Sequence, residues 1–401
     1  MAELGIYIQV PFCQAKCTYC NFHTGVVSAG RFGPYVEAVG REIHEHCGLL
    51  KSGGGSLSPA IGSQTPSVDT LYVGGGTPSL LEPELLARMI EALRGNFACA
   101  FTEVTLEADP ETIEAGKAAE WVAAGFNRVS FGTQSFVDEE LKAAGRMHRR
   151  EDIYRAVPIL RAAGIRNFSF DLIAGLPKQT DASWRQSLGE AIALGPEHIS
   201  IYVMEIDEGS RLGLEVLQNG ARYSAREIPS EESMAEFYEL AQGELKTAGY
   251  VQYEISNWAK PGFESRHNLK YWRREPYLGF GAGAHSFFGA QRWANRHDAA
   301  AYVAAIAEGK SAVDSVDTVT AALALEEEFF LGLRRLSGID LGRIEREYGV
   351  NLAEKVSELA ARGMVEMQGD DLRLPADKLS VSSEIIVELL RSVPMAATGT
   401  R

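Results

Sequence analysis

Ile6-Tyr-Ile-Gln-Val10-Pro-Phe-Cys13-Gln-Ala-Lys-Cys17-Thr-Tyr-Cys20 joins a short apolar strand to a loop holding three of the chain's five cysteines. Three thiolates on one loop can hold three irons of a cubane cluster and leave the fourth iron open to a small molecule. Zinc is a rival occupant. It normally takes four protein ligands, and His23 is the nearest candidate to complete the set. A thioredoxin-like redox pair leaves the third cysteine without a role. Cys47 and Cys99 lie far from the loop, and each reads as a buried small hydrophobe.

Outward from the loop, β-branched or aromatic runs alternate with Ala/Leu/Glu-rich helical patterns. The runs are Ile6–Val10, Thr70–Val73, Val104–Glu107, Arg128–Gly132, Phe168–Ile173 and His198–Val203. Helices are expected between them at Pro34–Leu50, Glu82–Asn96, Glu111–Ala124, Asp138–Ala144, Glu151–Ala163 and Asp181–Leu194. Such alternation implies parallel βαβ units with right-handed crossovers. The fold class is α/β. Six units suit a partial (β/α) barrel, with a doubly wound sheet as the rival. After Glu205 the rhythm fades. A helix at Ser230–Ala248 is followed by a stretch rich in Tyr, Trp and Gly from Tyr250 to Asn295. From Ala321 onward three helices, two short strands and a last helix near Ser382–Arg391 form a winged-helix-like α+β pattern. The expected division is a barrel over residues 1–230, a connecting region over 231–310 and a C-terminal module over 311–395. Residues 51–69, rich in Gly, Ser and Pro, read as a flexible surface insertion.

Composition narrows the function classes. At 401 residues the chain has room for a large core and a second, smaller one. A net charge of −15 argues against a nucleic-acid partner, and the acidic run Glu326-Glu-Glu328 argues against DNA reading by the C-terminal module. No apolar run reaches the length of a membrane span, and no secretory signal opens the chain, so the expected address is the cytoplasm.

Polar residues recur at successive strand ends, the face where barrel sites collect. Gly74-Gly-Gly-Thr-Pro78 lets backbone approach a ligand closely. Glu107 ends the third strand, whereas Asp109 reads as a cap for the following helix. Gln134 can hydrogen-bond a nucleoside, and the fork of Arg146 suits a carboxylate. Asp171 sits in an apolar strand, where a charge is costly without a partner.

The Cys-x3-Cys-x2-Cys spacing after a first strand resembles the radical S-adenosylmethionine (SAM) superfamily. The series Tyr-x-x-x-Pro-Phe-Cys, Gly-Gly-Gly-Thr-Pro, Gly-x-Gln-Ser-Phe, Asp-Leu-Ile-x-Gly-Leu-Pro and His-Asn-x-x-Tyr-Trp resembles its coproporphyrinogen-dehydrogenase-related subgroup, over roughly residues 4–390. The resemblance implies a [4Fe–4S] cluster on Cys13, Cys17 and Cys20. It also implies SAM contacts from Tyr7, Gly75, Gly76, Thr77, Glu107, Gln134, Arg146 and Asp171. The dehydrogenase carries a fourth cysteine where this chain has Phe22, and a longer N-terminal extension. Both departures are similar to the HemW-type haem chaperones of the subgroup. On that resemblance His267, in Arg266-His-Asn-Leu-Lys-Tyr-Trp272, is the candidate haem ligand, with His285 ranked below it. A histidine satisfied inside the core is the alternative. The expected function is haem binding and transfer to an acceptor protein, with no catalytic residue assigned and an electron donor required if SAM is cleaved. The alternative is an oxygen-independent coproporphyrinogen III oxidase working through a 5′-deoxyadenosyl radical.

Overall fold

The computed structural model describes residues 3–52 and 67–391. The insertion expected at 51–69 falls mostly outside them, as does the side chain of Cys47. Six strands form the centre of the molecule: β1 (Leu4–Val10), β2 (Val68–Gly75), β3 (Cys99–Ala108), β4 (Arg128–Gln134), β5 (Asn167–Ala174) and β6 (His198–Val203). They pair in parallel, each with the next in sequence. β2 and β4 are buried almost without interruption, because a parallel sheet is covered on both faces. The returning helices are α1 (Phe32–Ser52), α2 (Pro83–Asn96), α3 (Ala115–Ala124), α4 (Asp138–Ala143), α5 (Arg150–Ala163) and α6 (Asp181–Leu194). Strand order rises without a switch point, which separates this fold from a doubly wound sheet. The helix expected from Glu111 starts only at Ala115, because Pro110–Thr112 forms a 3-10 turn first.

After α7 (Arg211–Leu217) and α8 (Glu231–Thr247), short strands extend both edges of the sheet. β8 (Asn257–Ala259) adds antiparallel to β6, and β7 (Val251–Glu254) pairs antiparallel with β8 at the outer edge. The helix α9 (Arg266–Trp272) then leads to β9 (Tyr277–Phe280), which pairs parallel with β1. β10 (His285–Phe288) and β11 (Gln291–Asn295) follow, and α10 (Ala299–Ala307) leads to the outer strand β12 (Val313–Thr318). The 12-stranded sheet ends at β7 and β12, so the barrel is partial and open. One core joins Leu4 to Ala312 across sheet and helices. Cys99 packs against it only half-buried, a correction to the fully buried reading, because it opens β3 at the sheet's rim.

The rest of the chain packs around its own core, from Leu325 to Leu389. It runs α11 (Ala321–Gly332), β13 (Ile339–Asp340), α12 (Leu341–Tyr348), α13 (Ala353–Ala361), β14 (Glu366–Gln368), β15 (Asp371–Arg373) and α14 (Ser382–Leu390). This is the winged-helix-like order, with one further strand edge at β13.

Candidate functional site

The cysteine loop leaves β1 at the carboxyl end of the sheet and is tied down by backbone bonds. Cys13 N donates to Gly25 O at 3.0 Å, and Gly25 N returns to Pro11 O at 2.9 Å. Thr18 N donates to Ala144 O at 2.9 Å, and Leu212 N donates to Thr18 O at 2.8 Å. The three thiols are free and half-buried. Burial pushes the Cys13 and Cys20 thiols up from their ordinary range. The Arg146 guanidinium donates to Cys17 Sγ at 3.4 Å, a cation where thiolate charge would gather.

Among the described residues no three His, Cys, Asp or Glu side chains converge as a single metal ion demands. The His23 ring lies against His297 instead, with centroids 4.2 Å apart. In this conformation His23 is thus not placed as the fourth ligand that zinc would need. A cubane takes one iron per thiolate and needs no such convergence. Gly76 marks where a bulky group comes close: a Cβ there would sit 3.0 Å from Cys13 Sγ and strike the Phe12 carbonyl. Gly75 takes φ +115°, and a Cβ there would strike the Gln9 side chain.

Most of the residues expected to contact SAM gather at this end of the sheet. Glu107 accepts from Gly75 N at 2.8 Å and from Tyr72 Oη at 2.9 Å. Burial pushes its carboxyl up to about 7. Tyr7 stacks on Tyr72 and donates to Gln9 Oε1 at 2.6 Å. Gln134 holds a positive φ of 57° and leaves its buried Oε1 without a partner. An orphaned acceptor on a strained residue is unfavourable unless a ligand donor meets it. Asp171 lies deeper, accepting from Ser130, Ser169 and Ser200 hydroxyls at 3.0, 3.3 and 2.8 Å. Those hydroxyls partner the charge that its apolar strand left unexplained, while burial raises its pKa.

Asp109 departs from the cap expected of it. Its side chain makes no cap hydrogen bond. It accepts from Thr77 Oγ1 at 3.0 Å and pairs with Arg146, which also donates to Gly132 O at 2.8 Å. A carboxylate two residues beyond Glu107 was the available signal, masked by the equal merit of a capping role. Three thiols, a glycine cradle against Cys13, an orphaned Gln134 acceptor and buried carboxylates fit a SAM-bound [4Fe–4S] cluster. Bound there, the pair supplies one-electron chemistry. The chain's own part is to hold carboxylates, amides and a guanidinium in fixed positions around it.

His267 lies apart from this mouth. It is buried, with Nδ1 3.0 Å from Thr70 Oγ1 and Nε2 2.9 Å from Tyr271 Oη. Glu103, midway along β3, accepts from the backbone N–H of Arg266 and His267 at 3.0 and 2.9 Å, capping α9. Lys270 pairs with Asp69 at 2.9 Å. Thus α9 is pinned to the amino-terminal part of β2 and β3, and burial pushes the His267 imidazole down to about 3. Neither ring nitrogen is free for iron in this conformation. His285 is exposed, 6.5 Å from His297 between ring centroids.

An open six-unit barrel with three cysteines on the loop after its first strand is the build of a radical SAM protein. Residues 7–191 match the model of the Radical SAM superfamily, and residues 319–377 match that of the HemN C-terminal domain. The heme chaperone HemW of Bacillus subtilis is 34% identical over 365 residues, 90% of this chain and 92% of that one. Escherichia coli HemW is 35% identical over 286 residues, 71% of this chain and 70% of that one. This chain belongs to the HemW family. The solved structure of coproporphyrinogen III oxidase (HemN) from Escherichia coli superposes with a TM-score of 0.80. It covers 97% of this chain and 90% of that one at 22% identity, a likeness of fold.

Proposed function

We propose that this protein binds haem and delivers it to an acceptor protein in the cytoplasm, carrying a [4Fe–4S] cluster on Cys13, Cys17 and Cys20. SAM would rest on Tyr7, Gly75, Gly76, Thr77, Glu107, Gln134, Arg146 and Asp171, and an electron donor enters only if SAM is cleaved. The observation that carries this reading is kinship along nearly the whole chain with proteins named heme chaperones. Phe22 supports it: the position of the dehydrogenase's fourth cysteine holds a ring that is 66% exposed. Among the described residues no helix is long and apolar enough to cross a membrane. In this reading residues 1–230 carry the cluster and SAM, 231–310 carry His267, and 311–395 form the accessory module. Ligation by His267 requires its ring to leave Thr70 and Tyr271.

The test uses one anaerobically reconstituted preparation. Titration with haem should end at one haem per chain with a Soret shift, and coproporphyrinogen III should remain unconverted. Turnover to protoporphyrinogen, without haem uptake, overturns the chaperone reading.

A further inference from the structure

We infer that a small acidic one-electron carrier protein docks over the cluster loop, on a patch of cations and apolar side chains. Such docking rests on the cluster reading above, and gives the electron donor named there a place and a charge. In a chain of net charge −15, residues 11–31 hold two Lys or Arg and residues 141–150 hold four, with no Asp or Glu in either stretch. The first stretch carries the three thiols. The second spans the turn from α4 to α5, and the fold seats it on the first. Thr18 N donates to Ala144 O at 2.9 Å, and Thr18 Oγ1 donates to Ala143 O at 3.2 Å. Gly145 holds a φ of +75°, and a Cβ there would lie 3.7 Å from Cys17 Cα.

Two of these cations are already neutralised: Arg146 pairs with Asp109, and Arg150 with Glu190 at 2.6 Å. Lys16, Lys142 and Arg149 make no ion pair among the described residues, nor does Arg211, which reaches over from α7 and donates to Lys16 O. Lys142, Arg149 and Arg211 are exposed, and Lys16 Nζ donates only to the Phe22 carbonyl, at 3.2 Å. Asp207, just before α7, is held by Asn21 Nδ2 at 3.0 Å and Gly209 N at 2.7 Å. Two apolar side chains accompany the free cations. Phe22 is 66% exposed, and Met147, between Lys142 and Arg149 in the chain, is 55% exposed. Aromatic and Met side chains are enriched at protein–protein contacts, and cations around them select a partner of opposite charge.

The charge of the rest of the chain sets the approach. An acidic partner is repelled by an acidic surface and steered to a local patch of cations. Whatever docks on this patch meets the loop that holds the half-buried thiols. The transfer moves one electron from the reduced carrier to a [4Fe–4S]²⁺ cluster, leaving the carrier oxidised and the cluster 1+, with no bond made or broken. Weak redox encounters bury less than about 1,200 Å² in all, so two short loops and one helix end suffice.

The experiment uses the anaerobically reconstituted full chain and, as probe, a plant-type [2Fe–2S] ferredoxin of net negative charge. Calorimetry follows binding, and low-temperature electron paramagnetic resonance follows reduction of the chain's own cluster. Lys142→Glu/Arg149→Glu should weaken ferredoxin binding at least about tenfold at low salt and slow reduction in parallel. Arg94→Glu/Arg166→Glu changes the net charge equally, at exposed positions beside the amino-terminal ends of β3 and β5, and should leave both readouts unchanged. At high salt the first variant and the wild type should converge, because screening removes the difference. Phe22→Ala should weaken binding about fivefold with its salt dependence intact. Dithionite, which needs no docking, should reduce the cluster of every variant alike. Equal weakening by the two double reversals, full affinity in Phe22→Ala, or no complex with a wild-type chain whose cluster dithionite reduces overturns the surface and leaves the cluster reading standing. A reconstituted chain without the cluster's absorbance overturns both.

Discussion

Glu107 shows how much of the site rests on single buried side chains. Its two oxygens are held by Gly75 N and Tyr72 Oη, yet burial leaves the carboxyl near 7. The folded pKa is raised, so the fold favours the protonated form. That contribution is present below the unfolded value and is lost as pH rises through about 7. A cationic ligand inverts the preference, because the charge beside it favours the carboxylate. If Glu107 faces the ammonium of SAM, the SAM Kd should tighten about tenfold from pH 6 to pH 8 and be flat in Glu107→Gln. Equilibrium dialysis at fixed ionic strength measures it, and a flat wild-type profile would remove Glu107 from the contact. Glu107 and Gln134 could be picked out as candidates because a polar side chain at a strand end has few structural reasons to be there, and Arg146, after α4, because its fork suits a carboxylate. Asp109 could not, since a residue before a proline-led turn is equally well explained as a cap; only the fold brings Arg146 to it.

At the scale of elements, the six central strands were readable from their β-branched and aromatic runs, and the helices between them from their Ala/Leu/Glu-rich patterns. The strands β7 to β12 were not. They are three to six residues long, too short for a period to register, and their pairing depends on an edge made elsewhere in the chain. The helix α9 was legible as a motif but not as a plug. Its place is set by Glu103, whose carboxylate accepts from its first two backbone N–H groups. Glu103→Ala removes the acceptor of the Arg266 and His267 backbone N–H groups at the start of α9, a loss of about 2 kcal/mol. A urea midpoint should fall accordingly, with α9 amides exchanging faster than those of β2. An unchanged midpoint would mean that Glu103 does not hold α9 in place.

Across the whole molecule, the acidic run Glu326-Glu-Glu328 acquires a purpose that its charge alone did not suggest. Glu327 pairs with Arg274 at 3.0 Å and Arg292 at 2.6 Å, and Glu328 pairs with Arg274 at 3.0 Å and Arg343 at 2.6 Å. Arg274 lies in the turn between α9 and β9 and Arg292 in β11, so these carboxylates clamp the C-terminal domain to the barrel. A backbone bond from Leu336 N to Tyr253 O at 3.1 Å makes a second tie near β7. The C-terminal domain has its own core, so losing the clamp should undock it before it unfolds. Arg274→Ala removes the one cation shared by both carboxylates. Because Arg292 and Arg343 remain, the loss should be about 2 kcal/mol, less than for a fully stranded buried charge. Calorimetry should then resolve two transitions, the lower belonging to residues 319–391, while the cluster's absorbance persists to the upper one. A single transition at the wild-type Tm would show that the Tyr253–Leu336 tie and the remaining ion pairs suffice to hold the two domains together.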